Sequence, residues 1–313
     1  MNNKRFRSII LAMLSIGLVV GFIYYLYINA DQYLQLLNVS ASGVAMLFLL
    51  SLAFPWLNGV QNTLLYRSLG TMEFSHWDGF HLSATSSLAN QLPLPGGIVS
   101  KGYYLKRKYN LSYTMYSSST VALFVCYLSL NGLIGLAILA YWTFILQVHV
   151  SLFLWVGFIL LTSLVSVFWL PLDRMVLPAG INDRFQRALE GWFHISHHPW
   201  MALKIMAVQT IMIFFLAVRY WIAFHMLSQD VNPAQVLLMS NASVLTQMVS
   251  LAPGGLGVRE VIVGGVASII GFDTAISVVA VGLDRLVSTL VKLIVGGISL
   301  VLLGDKIAEI PAK

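Results

Sequence analysis

Six stretches of this chain, residues 8–28, 42–65, 112–142, 151–171, 203–226 and 274–303, are apolar for about the 20 residues that an α-helix needs to cross a bilayer. In hydrocarbon the backbone N–H and C=O groups must be bonded internally, so such stretches fold as helices. Composition agrees: of 313 residues, 58% are hydrophobic and 10% charged, against about 25% charged in soluble domains. A water-soluble globule of this size could not cover its surface with so few polar groups. That excludes an ordinary cytosolic enzyme, a disordered protein and a fibrous one. The expected fold is an all-α integral membrane protein with about six spanning helices. The net charge of +6 reads as cytoplasmic loops against anionic lipid, with no nucleic acid as partner. The single cysteine, Cys126, permits no intramolecular disulfide.

The distribution of Lys and Arg sets a topology. Lys4, Arg5 and Arg7 precede the first stretch, which ends in Tyr24, Tyr25 and Tyr27 and is too long for a cleaved signal, so it reads as a retained helix with a cytoplasmic N-terminus. Segments 29–41, 143–150 and 227–233 carry no Lys or Arg and read as outside. Arg67, Arg174, Arg184, Arg187, Lys306 and Lys313 then fall inside. Residues 79–97 and 234–257 are also apolar, but each contains or ends near a Pro-Gly-Gly break. If 79–97 crossed, Lys101, Lys106, Arg107 and Lys108 would lie outside, so a re-entrant hairpin from the cytoplasmic side is expected. For 234–272 the return leg after Arg259 and Glu260 has only about a dozen apolar residues, short for a span. A second re-entrant hairpin, from the outside, is expected there, with a pair of crossings as the alternative. The expectation is a multi-pass membrane protein with both termini cytoplasmic.

The two broken segments resemble each other. Ser83, Ser86 and Asn90 precede the first break at helical spacing, and Ser240, Ser243 and Gln247 the second. Pro95-Gly96-Gly97 matches Pro253-Gly254-Gly255, and six residues after each proline stands a cation, Lys101 or Arg259. Asn110-Leu111-Ser112 and Gly271-Phe272-Asp273 then open long apolar helices, at offsets of 157, 158 and 161 along the pattern. With the topology above this is an inverted repeat, the architecture in which broken helices meet near the midplane to form a transport site. The chain is thus read as one polytopic membrane domain: N-terminal helix 1–40, repeat one 41–142, linker helix and cytoplasmic loop 143–202, repeat two 203–304, tail 305–313.

Through Leu251-Ala252-Pro253-Gly254-Gly255-Leu256-Gly257-Val258-Arg259-Glu260 the chain resembles the lysylphosphatidylglycerol synthase/flippase transmembrane family of bacterial and archaeal inner-membrane proteins. Leu92-Pro93-Leu94-Pro95-Gly96-Gly97, Lys101, the Lys106-Arg107-Lys108 cluster and Asp284-Arg285 fit as well, and the likeness covers about residues 40–303. The first motif departs from the family pattern. Members often carry an acidic residue soon after the turn and a Glu-Arg pair in the next helix, where this chain has Ser100-Lys101 and Leu123-Phe124. The resemblance implies a lipid-handling membrane module, in some members a flippase for aminoacylated phosphatidylglycerol; full-length enzymes add a soluble aminoacyl-transfer domain. The sequence ends ten residues after the last apolar stretch, so the expectation is movement or binding of a lipid rather than lysyl-lipid synthesis.

Few charges remain to form a site. Arg259 and Glu260 follow the second break, where free backbone N–H groups beside a guanidinium suit a phosphate; alternatively they pin the hairpin through an ion pair. Asp284, Arg285 and Lys292 lie inside the last stretch, and Arg285, Thr289, Lys292 and Gly296 share one face. Either they line a cavity for an anionic headgroup, or Asp284 neutralises one cation while Lys292 reaches the interface. Arg219 has the same two readings. Asn90, Gln91, Asn241 and Gln247 suit headgroup hydroxyls or exposed backbone groups, and Lys101 is the first repeat's counterpart of Arg259. Residues 180–200 read as an interfacial amphipathic helix, and His194, His197 and His198 lack the further ligands of a metal site. There is no phosphate-binding G-x-x-x-x-G-K-[ST] loop, and no cofactor or metal is expected. The expected function is a lipid transporter or flippase with a membrane lipid as partner. A membrane enzyme or accessory subunit working with a lipid- or envelope-glycan-synthesis enzyme is the alternative, and a soluble-metabolite carrier a third.

Overall fold

The structure is a computed structural model that describes residues 39–91, 96–147, 149–169, 179–247 and 258–308, without the side chains of 168–169, 179–185, 187–188, 245, 247 and 305–308. Its described elements are all helical. In order they are α1 (Ala41–Ser68), α2 (His76–Ala89), α3 (Gly96–Tyr109), α4 (Tyr113–Ala140, extended by a π turn to Ile145), α5 (Leu152–Ser163), α6 (Ala179–Ser196), α7 (Pro199–Met226), α8 (Pro233–Ala242), α9 (Val258–Ile269) and α10 (Thr274–Ala308). Short 3-10 segments follow α5 and α8, at Leu164–Trp169 and Ser243–Gln247.

Among the described residues, four helices are long and apolar enough to cross a membrane: Ala41–Ser68, Tyr113–Ile145, Pro199–Met226 and Thr274–Gly304. They coincide with four of the six expected spans. The stretch at 151–171 forms a shorter apolar helix, Leu152–Val167. Residues 8–28, with Tyr24, Tyr25 and Tyr27, lie outside the described residues, as do Pro95, Pro253, Gly254, Gly255 and the tail from 309. The two broken segments separate into α2 and α3, of 14 residues each, and α8 and α9, of 10 and 12. At 1.5 Å per residue, 14 residues reach about 21 Å, against about 30 Å of hydrocarbon.

The element order recurs, with local detail the sequence only hinted at. After α1 and after α7 the chain turns through a left-handed residue, Gly70 (φ 96°) and Ser228 (φ 56°). In each turn an amide bonds back five residues, Thr71 to Tyr66 and Gln229 to Phe224, the signature of a Schellman-type helix end. Ser75 then caps α2 and Asn232 caps α8. Before α4 and α10 the left-handed residues are Asn110 (φ 54°) and Gly271 (φ 79°), followed by the N-caps Ser112 and Asp273. These are the two tripeptides that the spacing singles out.

Among the described residues the chain divides into two compact units, one of Met1–Ala53, Ser87–Gly96 and Ile213–Ile294, the other of Phe54–Ser86, Gly97–Met212 and Val295–Lys313. In the first, α10 turns Ser277, Asp284, Arg285 and Ser288 inward and leaves Leu286, Leu290, Leu293 and Ile294 exposed. That polarity is reversed from a water-soluble helix and fits an apolar solvent outside. Gly96 opens α3 hard against α2, where an added Cβ would lie 2.8 Å from the Ala89 carbonyl oxygen.

The second unit has a core around Leu65, Phe74, Leu105, Tyr116, Trp192 and Ile205. Beside it the buried Asp78 of α2 accepts hydrogen bonds from Tyr109 Oη (2.6 Å), Tyr104 Oη (3.2 Å) and Lys108 Nζ (3.1 Å) of α3. Burial and the adjacent carboxylate push both phenols well above their usual range, so they stay protonated as donors. Ser83 accepts from Asn62 Nδ2 of α1 at 2.7 Å, and Ser86 bonds back to the Leu82 carbonyl. The expected polar stripe therefore joins helices here.

The expected amphipathic segment is α6. Within it the His194 and His198 rings stack, with His198 Nδ1 2.7 Å from the His194 carbonyl. Burial, then the nearby His198, lowers the His194 pKa. Gly191 lets α6 meet α4, its amide donating to Ser118 Oγ at 3.0 Å and its α-carbon facing the Met115 carbonyl. Gly191→Val should therefore destabilise by roughly 1–3 kcal/mol through overpacking, read as a lower melting temperature in detergent. Gly157→Ala, where an added Cβ meets nothing within 4 Å, should leave the melting temperature unchanged.

Candidate functional site

In the first unit, α7, α9 and α10 bring six ionisable side chains together. Asp284, fully buried, receives Arg219 Nη2 at 2.6 Å and Nε at 2.7 Å, both on Oδ1. Glu260, at 1% exposure, holds Arg285 Nη1 with both oxygens, at 3.0 and 3.1 Å. The first pair ties α7 to α10 and the second ties α9 to α10. Breaking such a pair strands a charge, which costs about 3–5 kcal/mol.

Two cations have no carboxylate of their own. Arg259 donates Nε to Tyr220 Oη at 2.7 Å, with its guanidinium carbon 5.3 Å from that ring's centroid. Ser243, near the same phenol, donates its hydroxyl to the Ser240 carbonyl at 2.7 Å. Lys292, two turns beyond Arg285, lies within electrostatic range of Arg259, Arg219, Arg285 and Asp284. Both Arg259 and Lys292 are half-buried. Among the described residues, neither the Arg259 terminal nitrogens nor Lys292 Nζ has a protein partner. Four cations face two carboxylates, a surplus of two positive charges. A charge at membrane depth costs about 2.5–3.5 kcal/mol on insertion scales. Two acceptors of this unit are also unmatched: Asp284 Oδ2 and Asn241 Oδ1 are buried without a hydrogen-bond partner.

Five of the singled-out residues, Arg259, Glu260, Asp284, Arg285 and Lys292, thus meet in one unit. The ion pairs open as alternatives in the sequence are made, but across helices: Glu260 holds Arg285 rather than its neighbour Arg259, and Asp284 holds Arg219. Asn241 is buried and bonds back to the Leu237 carbonyl, a backbone role. Asn90 is an exposed turn residue after α2, and Gln91 bonds back to the Ser87 carbonyl. Gln247 closes the 3-10 turn, its side chain outside the described residues. Lys101 sits half-buried in α3, in the second unit. Gly96 and Gly97 begin α3.

Tyr220 is the member that sequence reading missed. Its signal was faint, a tyrosine following an arginine inside an apolar stretch, and interfacial tyrosines are common enough to hide it. Nothing local reveals that its hydroxyl receives Arg259, 39 residues away.

Arg219→Gln should lower stability by about 3–5 kcal/mol because it strands Asp284. Adding Asp284→Asn should recover much of that loss, so a double-mutant cycle by thermal unfolding in detergent should show coupling above roughly 1 kcal/mol.

A short stretch is 39% identical over 64 residues to UPF0104 membrane protein PH1989 of Pyrococcus horikoshii, covering 20% of this chain and 19% of that protein. The match therefore spans about a fifth of that relative's length. No solved structure matches the chain. Residues 10–296 match the lysylphosphatidylglycerol synthase TM region family, nearly the whole length and including all six ionisable residues above. With four apolar helices of spanning length, this chain is a multi-pass membrane protein and belongs to the lysylphosphatidylglycerol synthase transmembrane-region family.

Proposed function

We propose that this protein is a flippase-like lipid transporter of the cell inner membrane, which admits a phospholipid or lipid-linked headgroup to a polar cavity lined by Arg259, Lys292 and Tyr220. The broken pairs α2–α3 and α8–α9 act as re-entrant hairpins of opposite orientation, and the acyl chains stay in the bilayer while the headgroup passes. The observation that carries this reading is the surplus, among the described residues, of two half-buried cations beside two buried ion pairs. Intramembrane charges without partners are functional by default, because the bilayer would otherwise select against them. The arrangement also suits an anion: Arg259 keeps its terminal fork unused and Lys292 all three of its N–H groups. Asp284 and Glu260 hold the other two arginines in place. Family membership supports a lipid-related role.

The reading is tested by reconstituting the protein in liposomes with a fluorescent phospholipid and quenching the outer leaflet. Transport predicts loss of the protected inner-leaflet signal faster than in protein-free vesicles. Arg259→Gln should slow that loss about tenfold or more, as removal of a charge-assisted hydrogen bond does, while melting as the native protein does. Rates equal to empty vesicles for every phospholipid and lipid-linked sugar tried would overturn it.

A further inference from the structure

The proposed transport reading leaves the headgroup chemistry open, and the charge and donor inventory of the cluster narrows it. Once Arg219 is set against Asp284 and Arg285 against Glu260, two positive charges remain, on Arg259 and Lys292. A phosphodiester headgroup brings about one negative charge and leaves one cation uncompensated. A zwitterionic headgroup brings none, and adds an ammonium among four cations. A terminal phosphomonoester carries about 1.5 to 2 negative charges at neutral pH.

Donor geometry gives the same answer. Arg259 has its Nε committed to Tyr220 Oη at 2.7 Å, which fixes the plane of the guanidinium over the ring and leaves the terminal nitrogens as a fork. A fork takes two oxygens of one phosphate, and a lysine ammonium serves as a point charge for a third. A phosphomonoester has three terminal oxygens, whereas a phosphodiester has only two that are not bridging.

We propose that the cluster of Arg259, Lys292 and Tyr220 binds a terminal phosphomonoester, presented by a lipid, in preference to phosphodiester or zwitterionic headgroups. This rests on the transport reading for its lipid, but not for its phosphate. Arg259 takes two oxygens and Lys292 the third. Tyr220 positions Arg259.

The test is binding to the purified full chain in detergent, by thermal shift and competition, with dioleoyl phosphatidic acid, dioleoyl phosphatidylglycerol, dioleoyl phosphatidylcholine and inorganic phosphate as probes. Phosphatidic acid should bind about tenfold or more tightly than phosphatidylglycerol, the factor that one further charge-assisted hydrogen bond gives. Lys292→Gln should bring the two close to parity, whereas Lys204→Gln, at an exposed lysine stacked on Trp200, should leave the preference intact. Should Lys292→Gln fail to fold, Arg259→Lys, which keeps the charge and removes the fork, should reduce the preference in the same direction. Inorganic phosphate that binds as tightly as phosphatidic acid supports the phosphomonoester site and removes the lipid as its source. Phosphatidylglycerol binding as tightly as phosphatidic acid to the native chain overturns the proposal. A chain that prefers phosphatidic acid yet moves no lipid between leaflets keeps this ligand and loses the transport reading; one that moves lipids with no headgroup preference does the reverse.

Discussion

Asp284 is the group around which the first unit is organised. A carboxylate with no exposure, within a helix that crosses hydrocarbon, persists only if a cation meets it. Arg219 does so from α7 with two nitrogens on one oxygen, and that requirement fixes the approach of α7 to α10. Its neighbour Arg285 then points to Glu260 at the start of α9, which ties α9 to α10. Three helices are joined by two ion pairs that apolar packing alone would not specify. Lipid chains are as apolar as leucine, so helix association in a bilayer gains little from burial of hydrocarbon. Directional polar contacts therefore carry much of the specificity.

The same constraint explains why these contacts are concentrated rather than spread. Exposed Leu286, Leu290, Leu293 and Ile294 on α10 satisfy the bilayer, so each charge must collect on the opposite face with its partners. Arg259 belongs to that face but meets a phenol instead of a carboxylate. A phenol positions a guanidinium without neutralising it. The pairing with Tyr220 thus keeps Arg259 oriented while leaving its charge available, which is what an anion site requires and a purely structural pair does not.

How much of this is legible in the sequence depends on the range of the interaction. Helix lengths follow from local hydropathy, and Asn110-Leu111-Ser112 and Gly271-Phe272-Asp273 mark turn and cap through the chemistry of residues next to one another. The residues of the cluster stand out because charge is scarce in apolar stretches. Their pairing does not: Asp284 and Arg285 are adjacent, yet they face different partners, 65 and 25 residues away. Successive positions on a helix are rotated by about 100°, so neighbours in sequence look toward different neighbours in space. The polar stripe of Ser83 and Ser86 is legible as a stripe, but only the packing of α1 against α2 gives Ser83 its Asn62.

The two repeats share a frame and differ in what their carboxylates do. In the first, Asp78 joins α2 to α3 and its oxygens are met by two phenols and an ammonium. Such a network is satisfied and rigid. At the positions corresponding to Asp284, Arg285 and Lys292, this repeat has Leu123, Phe124 and Asn131, which add no charge. In the second, the carboxylates tie α9 and α7 to α10, and among the described residues the charged network stays incomplete, with Asp284 Oδ2 and two cations unmatched. An incomplete buried network is destabilising unless something else completes it. Among the described residues, then, the same frame carries a carboxylate met from three sides in the first copy and a charged cluster with unmatched cations in the second.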